Sequence, residues 1–486
     1  MTLGSLFEGI ADISSEIADT EVTGVTSDSR EVRSGFVFVC IKGASFDGHS
    51  AAERLLSEGA AAVVTQQKLS LPREINVSDS RRIYPELLSK FYGRPTKGIK
   101  LCAVTGTNGK TTTVNMCAQI VRSFGKQVGV IGTLGTDTGK GLQYTHGGPP
   151  TTPEPRRLYS LFREMADIGT EYCFIEASSQ ALAQHRFAAE HFTAGAFTNL
   201  TQDHLDYHGT MEEYYLAKRR LFEMCGAAVI NIDDEYGKRT AEFCKENGIK
   251  CHTVSVFGEA DYHTENVKLS PAGAEFLLTD RAAGKCYVVK LPMTGYHNVS
   301  NVIEAALLCR EAGFDLHDCF DALRNISGVS GRLETLYSGE FAVVCDYAHT
   351  EDGLVKLLST LKPLAKNRLI TVFGSAGERD TDKRPKMGRA AEMYSDYLLV
   401  TTDNPASEDP QRTIDDVVAG FSGSVPHEEY TDRKKAVLSA LEMAQAGDVI
   451  ALCGKGHEDY QIIGREYVHF SEREIVREWL EERGLV

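Results

Sequence analysis

Residues 101–113 limit the fold more than any other stretch. An apolar run, Leu101, Cys102, Ala103 and Val104, leads into a turn bounded by Gly106 and Gly109, and a helical pattern follows from about Thr111 through Val114, Met116 and Ile120. A strand feeding a glycine turn and a helix N-terminus is an anion cradle. The glycines let backbone N–H groups converge, and the helix adds the positive end of its dipole. Gly106, Thr107, Asn108, Gly109, Lys110, Thr111 and Thr112 are therefore candidate phosphate contacts. Lys110 offers a point charge for β- and γ-phosphates, and Thr111 a hydroxyl suited to magnesium. The usual nucleotide loop has four residues between its glycines; only Thr107 and Asn108 stand there, so the loop is a shortened form.

At 486 residues the chain is too long for one ordinary core, and several domains are expected. A formal net charge of -16 argues against a nucleic-acid partner, since phosphate neutralisation needs a basic face. No apolar run reaches the length of a membrane helix, and the first residues lack the pattern of a signal peptide, so a cytoplasmic protein with no membrane partner is expected. The 12 cysteines include no Cys-x-x-Cys pair, and Cys102, Cys173, Cys345 and Cys453 lie in apolar runs, as buried free thiols do.

Short apolar runs alternate with helical patterns throughout, which predicts an α/β chain of three domains: a small α/β domain over 1–97, a central domain with a parallel sheet around the phosphate loop over 98–330, and a C-terminal sheet of Rossmann type over 331–486. In the central part, Glu176 ends an apolar strand, where a carboxylate is well placed for magnesium. The run 197–211 is dense in ionisable groups, His204 among them, and Lys218 is followed by Arg219 and Arg220. Asn298 and Asn301 open a helix; asparagine suits either a helix cap or the edge of an adenine. Strand-like runs at 342–345, 369–373, 397–400 and 449–452 each end in a polar motif, and ligands of open parallel sheets gather at carboxyl ends of strands. Those motifs, beginning at Asp346, Gly374, Asp403 and Gly454, should share one rim. No Gly-x-Gly-x-x-Gly follows any of these strands, which speaks against a dinucleotide-binding domain.

The stretch Thr105-Gly106-Thr107-Asn108-Gly109-Lys110-Thr111-Thr112 resembles the signature of the Mur ligases, ATP-dependent amide-forming enzymes of peptidoglycan precursor synthesis. The resemblance extends over nearly the whole chain and implies roles for matching residues. Ser29, Ala44, Ser45 and Phe46, with Thr151, Thr152, Ser178, Gln184 and Arg186, would hold the uridine diphosphate precursor. Asn298, Asn301, Arg332 and Asp346 would join the phosphate loop in binding ATP. Thr111, Glu176, His204 and a carbamylated Lys218 would hold magnesium, and Lys110, Glu176, His204 and Lys218 would be catalytic. Burial and like-charged neighbours favour a neutral lysine amine, which can capture CO₂. Gln180 stands where many relatives have histidine, so that histidine's role is not carried over.

The implied reaction joins a diamino acid to the D-glutamate carboxylate of UDP-N-acetylmuramoyl-L-alanyl-D-glutamate through an acyl phosphate, by a monomeric enzyme whose domains close on their substrates. Arg379, Asp403, Asn404, Ala406, Gly454 and Glu458 would bind the acceptor. Family members that take meso-diaminopimelate carry arginine where this chain has Ala406, and a guanidinium grips the extra carboxylate in a way alanine cannot. With Glu408 and Asp409 nearby to suit an ammonium, lysine is the expected acceptor; meso-diaminopimelate and ornithine are the alternatives. A folylpolyglutamate-like ligase would keep the phosphate loop and lack the uridine site. A nucleotide-binding regulator would bind ATP without turnover.

Overall fold

The computed structural model describes residues 1–43, 46–141, 151–324, 326, 328–378 and 381–485. Ala44, Ser45 and Arg379 lie outside the described residues. The chain divides into two compact units, Met1–His263 with Ser300–Cys319, and Thr264–Val299 with Phe320–Val486.

The first unit begins with a four-stranded sheet, Gly24–Thr26, Phe36–Val39, Ala62–Thr65 and Glu74–Asn76, in that order and all parallel. Its strands are apolar on both faces because both faces are covered. Val37, Val39 and Val64 belong to the cluster containing Leu87 and Leu88 of the helix Ser80–Phe91. Phe38, Cys40 and Val63 belong to the cluster of Ala52, Leu55 and Leu56 on the helix Ala52–Ser57.

The larger sheet of this unit runs Lys250–Ser255, Ala227–Asn231, Ala194–Phe197, Lys100–Thr105, Tyr172–Glu176 and Val128–Gly132, all parallel, and ends in the antiparallel Gly135–Asp137. Chain order reverses at the central strand. After Lys100–Thr105 the chain moves out to Val128–Gly132, returns to Tyr172–Glu176, then crosses to Ala194–Phe197. The Gly106 turn therefore emerges at a topological switch point, between the carboxyl ends of the strands carrying Glu176 and Phe197. The helix after the turn starts at Lys110, one residue before the expected Thr111. It buries Val114, Met116, Cys117, Ile120 and Val121. Burial of each large aliphatic chain contributes about 1.5–3 kcal/mol, so the cradle stands on a rigid base.

In the second unit the order is Glu334–Ser338, Ala342–Asp346, Val449–Cys453, Leu369–Ser375, Tyr397–Thr402 and His427–Tyr430; the first strand is antiparallel, the rest parallel. Helices cover both faces: Leu354, Leu358, Met387, Ala391 and Ile414 on one, Val437, Ile475, Val476 and Trp479 on the other. Because the four predicted strands are adjacent and parallel, their terminal motifs share one edge, as the sequence predicts. Two antiparallel hairpins complete the unit, Gly273–Asp280 with Lys285–Leu291 and Tyr460–Ile463 with Glu466–His469. All 12 cysteines are free thiols, and among the described residues no helix is long and apolar enough to cross a membrane.

Candidate active site

Gly106 and Gly109 have φ of +148° and +87°. Glycine is required at both for reasons of space as well. A Cβ on Gly106 would stand 1.9 Å from Thr198 Oγ1, and one on Gly109 would stand 2.5 Å from Asn301 Oδ1. The segment after the strand Ala194–Phe197 supplies the floor of the loop. Thr107 N donates to the Asn199 carbonyl (2.9 Å), Asn108 N to Asn199 Oδ1 (3.1 Å), and Thr201 N to Thr107 Oγ1 (3.0 Å). Lys110 folds back over the loop and donates to the carbonyls of Gly106 (2.9 Å) and Thr107 (2.8 Å). Thr112 is buried on the first turn of the helix.

Glu176 is 1 % exposed, and its carboxylate is satisfied by hydroxyl and amide donors: Thr111 Oγ1 (2.9 Å), Thr133 Oγ1 (3.1 Å) and Thr133 N (2.8 Å). Among the described residues no cation of the chain pairs with it. A buried carboxylate facing only hydroxyls and an amide, in a site built of hard oxygens, fits a magnesium ion. Thr111 and Glu176 are thus brought together, and Thr133, which sequence reasoning missed, joins them from the end of Val128–Gly132.

Lys218 is 1 % exposed, not on a solvated cationic face. Its ammonium nitrogen donates to the Gly106 carbonyl (2.8 Å) and lies over the Tyr214 ring. Burial, with Lys110 nearby, holds its pKa well below the usual lysine range. His204 is half exposed, has φ of +51°, stands 3.5 Å from Asp203, and faces Tyr214 edge-on at 6.2 Å. Tyr214 also reaches Thr107 (3.3 Å between hydroxyls), so it links loop, Lys218 and His204. Among the described residues no three of His, Cys, Asp or Glu gather as a metal site, so the four-residue set from the sequence is assembled only in its Thr111–Glu176 half.

The predicted precursor contacts converge on the other side of Glu176. Thr152 Oγ1 donates to the Glu176 carbonyl (2.6 Å) and accepts from Ser178 N (3.1 Å), and the Thr152 carbonyl accepts from Arg186. Arg186, 5 % exposed, also donates to Gln184 Oε1 (2.8 Å) and pairs with Glu154. Thr151 Oγ1 is 3.2 Å from Thr133 Oγ1. Ser29 and Phe46 make no described hydrogen bond to this group; Phe46 is half exposed. The turn that bears Ser29 is nevertheless tied toward it, because Glu31 pairs with Arg156.

In the second unit, Asn298, in the first turn of the helix Tyr296–Glu311, donates from Nδ2 to the Thr294 carbonyl (2.8 Å). Asn301 belongs to the first unit, against Gly109. Asp346 accepts from Leu333 N (2.7 Å) and Ala348 N (2.8 Å); burial raises its pKa despite the charge of Arg332, whose guanidinium lies over the Tyr347 ring.

The rim of the six-stranded sheet is organised by a fully buried Lys455, a residue the sequence reading did not select. Its ammonium contacts Glu458 Oε2 (2.7 Å), Asn404 Oδ1 (2.8 Å) and Asp403 Oδ1 (3.3 Å). Asn404 Nδ2 donates to Glu458 Oε2 (3.2 Å). The Lys455 contact to Asp403 Oδ1 lacks hydrogen-bond geometry, which leaves that buried oxygen an open acceptor. Gly454, next to Asp403, has φ of +111°, a backbone conformation that favours glycine. Lys455 could have been found from its flanking glycines at the end of an apolar strand.

Glu408 and Asp409 do not form the open acidic pair on which lysine was expected. Glu408 is bound to the fully buried Arg384 (2.9 Å) and accepts from Glu378 N; Asp409 caps the helix Pro410–Val418 by accepting from Gln411 N (3.0 Å). Both carboxylates are engaged within the fold.

Comparisons with known proteins place the chain in a family. Residues 21–90 match the Mur ligase family, catalytic domain, residues 104–309 the Mur ligase middle domain, and residues 331–456 the Mur ligase, glutamate ligase domain. The chain is 40% identical over 477 residues to the UDP-N-acetylmuramoyl-L-alanyl-D-glutamate--2,6-diaminopimelate ligase of Geobacillus kaustophilus, covering 96% of each chain. It is 37% identical to the enzyme of that name from Listeria monocytogenes, covering 97% of each. A solved structure of a ligase of that name covers 100% of both chains with a TM-score of 0.77 at 33% identity. A folylpolyglutamate synthase from Mycobacterium tuberculosis, 17% identical with a TM-score of 0.59, shares the fold over 77% of this chain and 91% of its own. The relatives' names carry diaminopimelate, against the lysine expected from Ala406. With a phosphate-type loop at the switch point, a buried carboxylate beside it and three family segments in order along the chain, this protein belongs to the Mur ligase family and is a ligase that forms amide bonds.

Proposed function

We propose that the protein uses ATP to join 2,6-diaminopimelate to the D-glutamate γ-carboxylate of UDP-N-acetylmuramoyl-L-alanyl-D-glutamate. The relatives' names carry the acceptor reading, and the engagement of Glu408 and Asp409 within the fold removes one of the two grounds for lysine, the other being Ala406. The match at 21–90 favours a sugar-nucleotide precursor over a folate-type substrate.

A carboxylate resists attack by an amine, so it must first become an acyl phosphate with phosphate as leaving group. In this reading the N–H groups of 106–112 hold the triphosphate, and Lys110 leaves the loop carbonyls to stand against the β- and γ-phosphates. Thr111 and Glu176 would hold magnesium, which when bound neutralises charge on the transferring phosphoryl group. The second half of the metal set would need Lys218 as its carbamate, for which its buried, neutral-favouring site is suited, and a movement of His204. Thr152, Ser178, Gln184 and Arg186 position the precursor beside Glu176, so that the carboxylate approaches the γ-phosphate in line. Asp403 Oδ1, Asn404 and Glu458 receive the ammonium and carboxylate of the acceptor's reacting carbon, with Arg379. Asn298, Asn301, Arg332 and Asp346 are proposed to complete the nucleotide site. The functional segments are taken as 1–97, 98–330 and 331–486.

The test is phosphate release from ATP with precursor and each of meso-diaminopimelate, L-lysine and L-ornithine. Release should require both precursor and acceptor, with kcat/KM for meso-diaminopimelate at least about tenfold above the others, within the range a missed charged contact produces. Release without precursor would overturn the reaction, and a preference for lysine would overturn the acceptor.

A further inference from the structure

Accepting diaminopimelate as substrate raises a question that Ala406 leaves open, namely what binds the carboxylate at the far end of the acceptor. We propose that Arg465, at the tip of the hairpin Tyr460–Ile463 and Glu466–His469, is the specificity-determining residue that grips it. This inference rests on the acceptor reading given above.

The hairpin is locked to the acceptor rim by backbone and side-chain bonds. Ala406 N donates to the Ile462 carbonyl (3.0 Å), and Gly464 N donates to the Ala406 carbonyl (2.8 Å), with Ala406 and Ile463 in a parallel bridge. Ile462 N donates to Asn404 Oδ1 (3.0 Å), and Gln461 Nε2 to the Asp403 carbonyl (2.7 Å). Arg465 is therefore the next residue after the one bonded to Ala406, and successive Cα atoms are about 3.8 Å apart. In this inference the guanidinium missing at 406 is replaced by one from the turn that follows the segment bonded to Ala406. The four hydrogen bonds fix residues 461–464 relative to Asp403, Asn404 and Ala406, and Arg465 follows that segment directly in the turn.

Two other cations near the rim, Arg384 and Lys455, are committed within the fold. Arg384 is fully buried and divided between Glu408 and Asp416. Lys455 is consumed by Asp403, Asn404 and Glu458. Arg465 is exposed and makes no hydrogen bond or ion pair among the described residues. A planar fork of donors facing a free carboxylate gives a bidentate, charge-assisted contact, which L-lysine cannot make because it has no carboxylate at that end.

The experiment measures kcat and KM for meso-diaminopimelate and L-lysine with the full-length protein, Arg465→Ala, and Arg465→Ala with Ala406→Arg. Arg465→Ala should raise KM for meso-diaminopimelate about 10- to 100-fold, the range of a lost hydrogen bond to a charged group. KM for L-lysine should move less than about twofold, and kcat with meso-diaminopimelate should change little. Adding Ala406→Arg should recover most of the lost affinity. An unchanged KM for meso-diaminopimelate in Arg465→Ala overturns the inference while leaving the acceptor reading intact, and so does an equal loss with both acceptors. A wild-type preference for L-lysine overturns the acceptor reading itself, and the inference with it.

Discussion

Gly109 combines a left-handed φ of +87° with a neighbour, Asn301 Oδ1, that would lie 2.5 Å from any added Cβ. Gly109→Ala should therefore cost about 1–3 kcal/mol, from backbone strain and the displaced carboxamide together. Thermal unfolding would register this as a lowered midpoint. Adding Asn301→Ala should return part of the loss, since it removes the obstacle and leaves the strain; strictly additive losses would contradict the contact. The glycine turn at Gly109 was legible from the residue string, because glycine spacing and Lys110 are local. Its dependence on Asn301 was not, since the two are far apart in sequence. Glu176 was legible as a strand-end carboxylate, whereas Thr133 and Tyr214 were not, because hydroxyls that meet across neighbouring strands and helices leave no periodic signal.

Elements carry their own electrostatics, and Glu311 gives the clearest case. It ends the helix Tyr296–Glu311 and accepts from Lys250 (2.6 Å) and His252 (3.1 Å) of the strand Lys250–Ser255, and from Arg310 (2.9 Å). Burial alone would raise its pKa; hydrogen bonds from His252, Lys250 and Arg310 overcome that and hold it at about 2. A carboxylate depressed in the folded state adds stability above its unfolded pKa, and the gain is lost as pH falls toward the folded value. Glu311→Gln should thus destabilise the protein by about 1–3 kcal/mol at pH 7, with the gap narrowing below about pH 5 and nearly closed near pH 2. Urea unfolding of both forms at several pH values checks this; a gap that persists undiminished to pH 3 would contradict it. The strand ends at Asp346, Asp403 and Gly454 were legible as one rim because parallel strands place their carboxyl ends together. The pairing of Glu408 was not, because it depends on Arg384 arriving from another helix, whereas Asp409 ahead of Pro410 carries a local helix-cap signal. Composition could show acidic residues near Ala406 but not that they were already paired.

At the scale of the whole molecule, the sequence gives the order of motifs, and the fold adds a division that motif order does not contain. Residues 264–299 pack with the C-terminal part, and Ser300–Cys319 with the phosphate-loop unit, so the chain passes between units more than once. Long-range packing of this kind has no signature in local hydrophobic patterns. The central claim is chemical: the precursor's carboxyl group becomes an acyl phosphate above the Gly106–Lys110 loop, and the acceptor amine displaces phosphate. The most direct measurement is turnover of precursor labelled with ¹⁸O in the D-glutamate γ-carboxylate, followed by mass analysis of the released inorganic phosphate. The account predicts one ¹⁸O atom transferred per amide bond formed, and unlabelled phosphate during active turnover would contradict it.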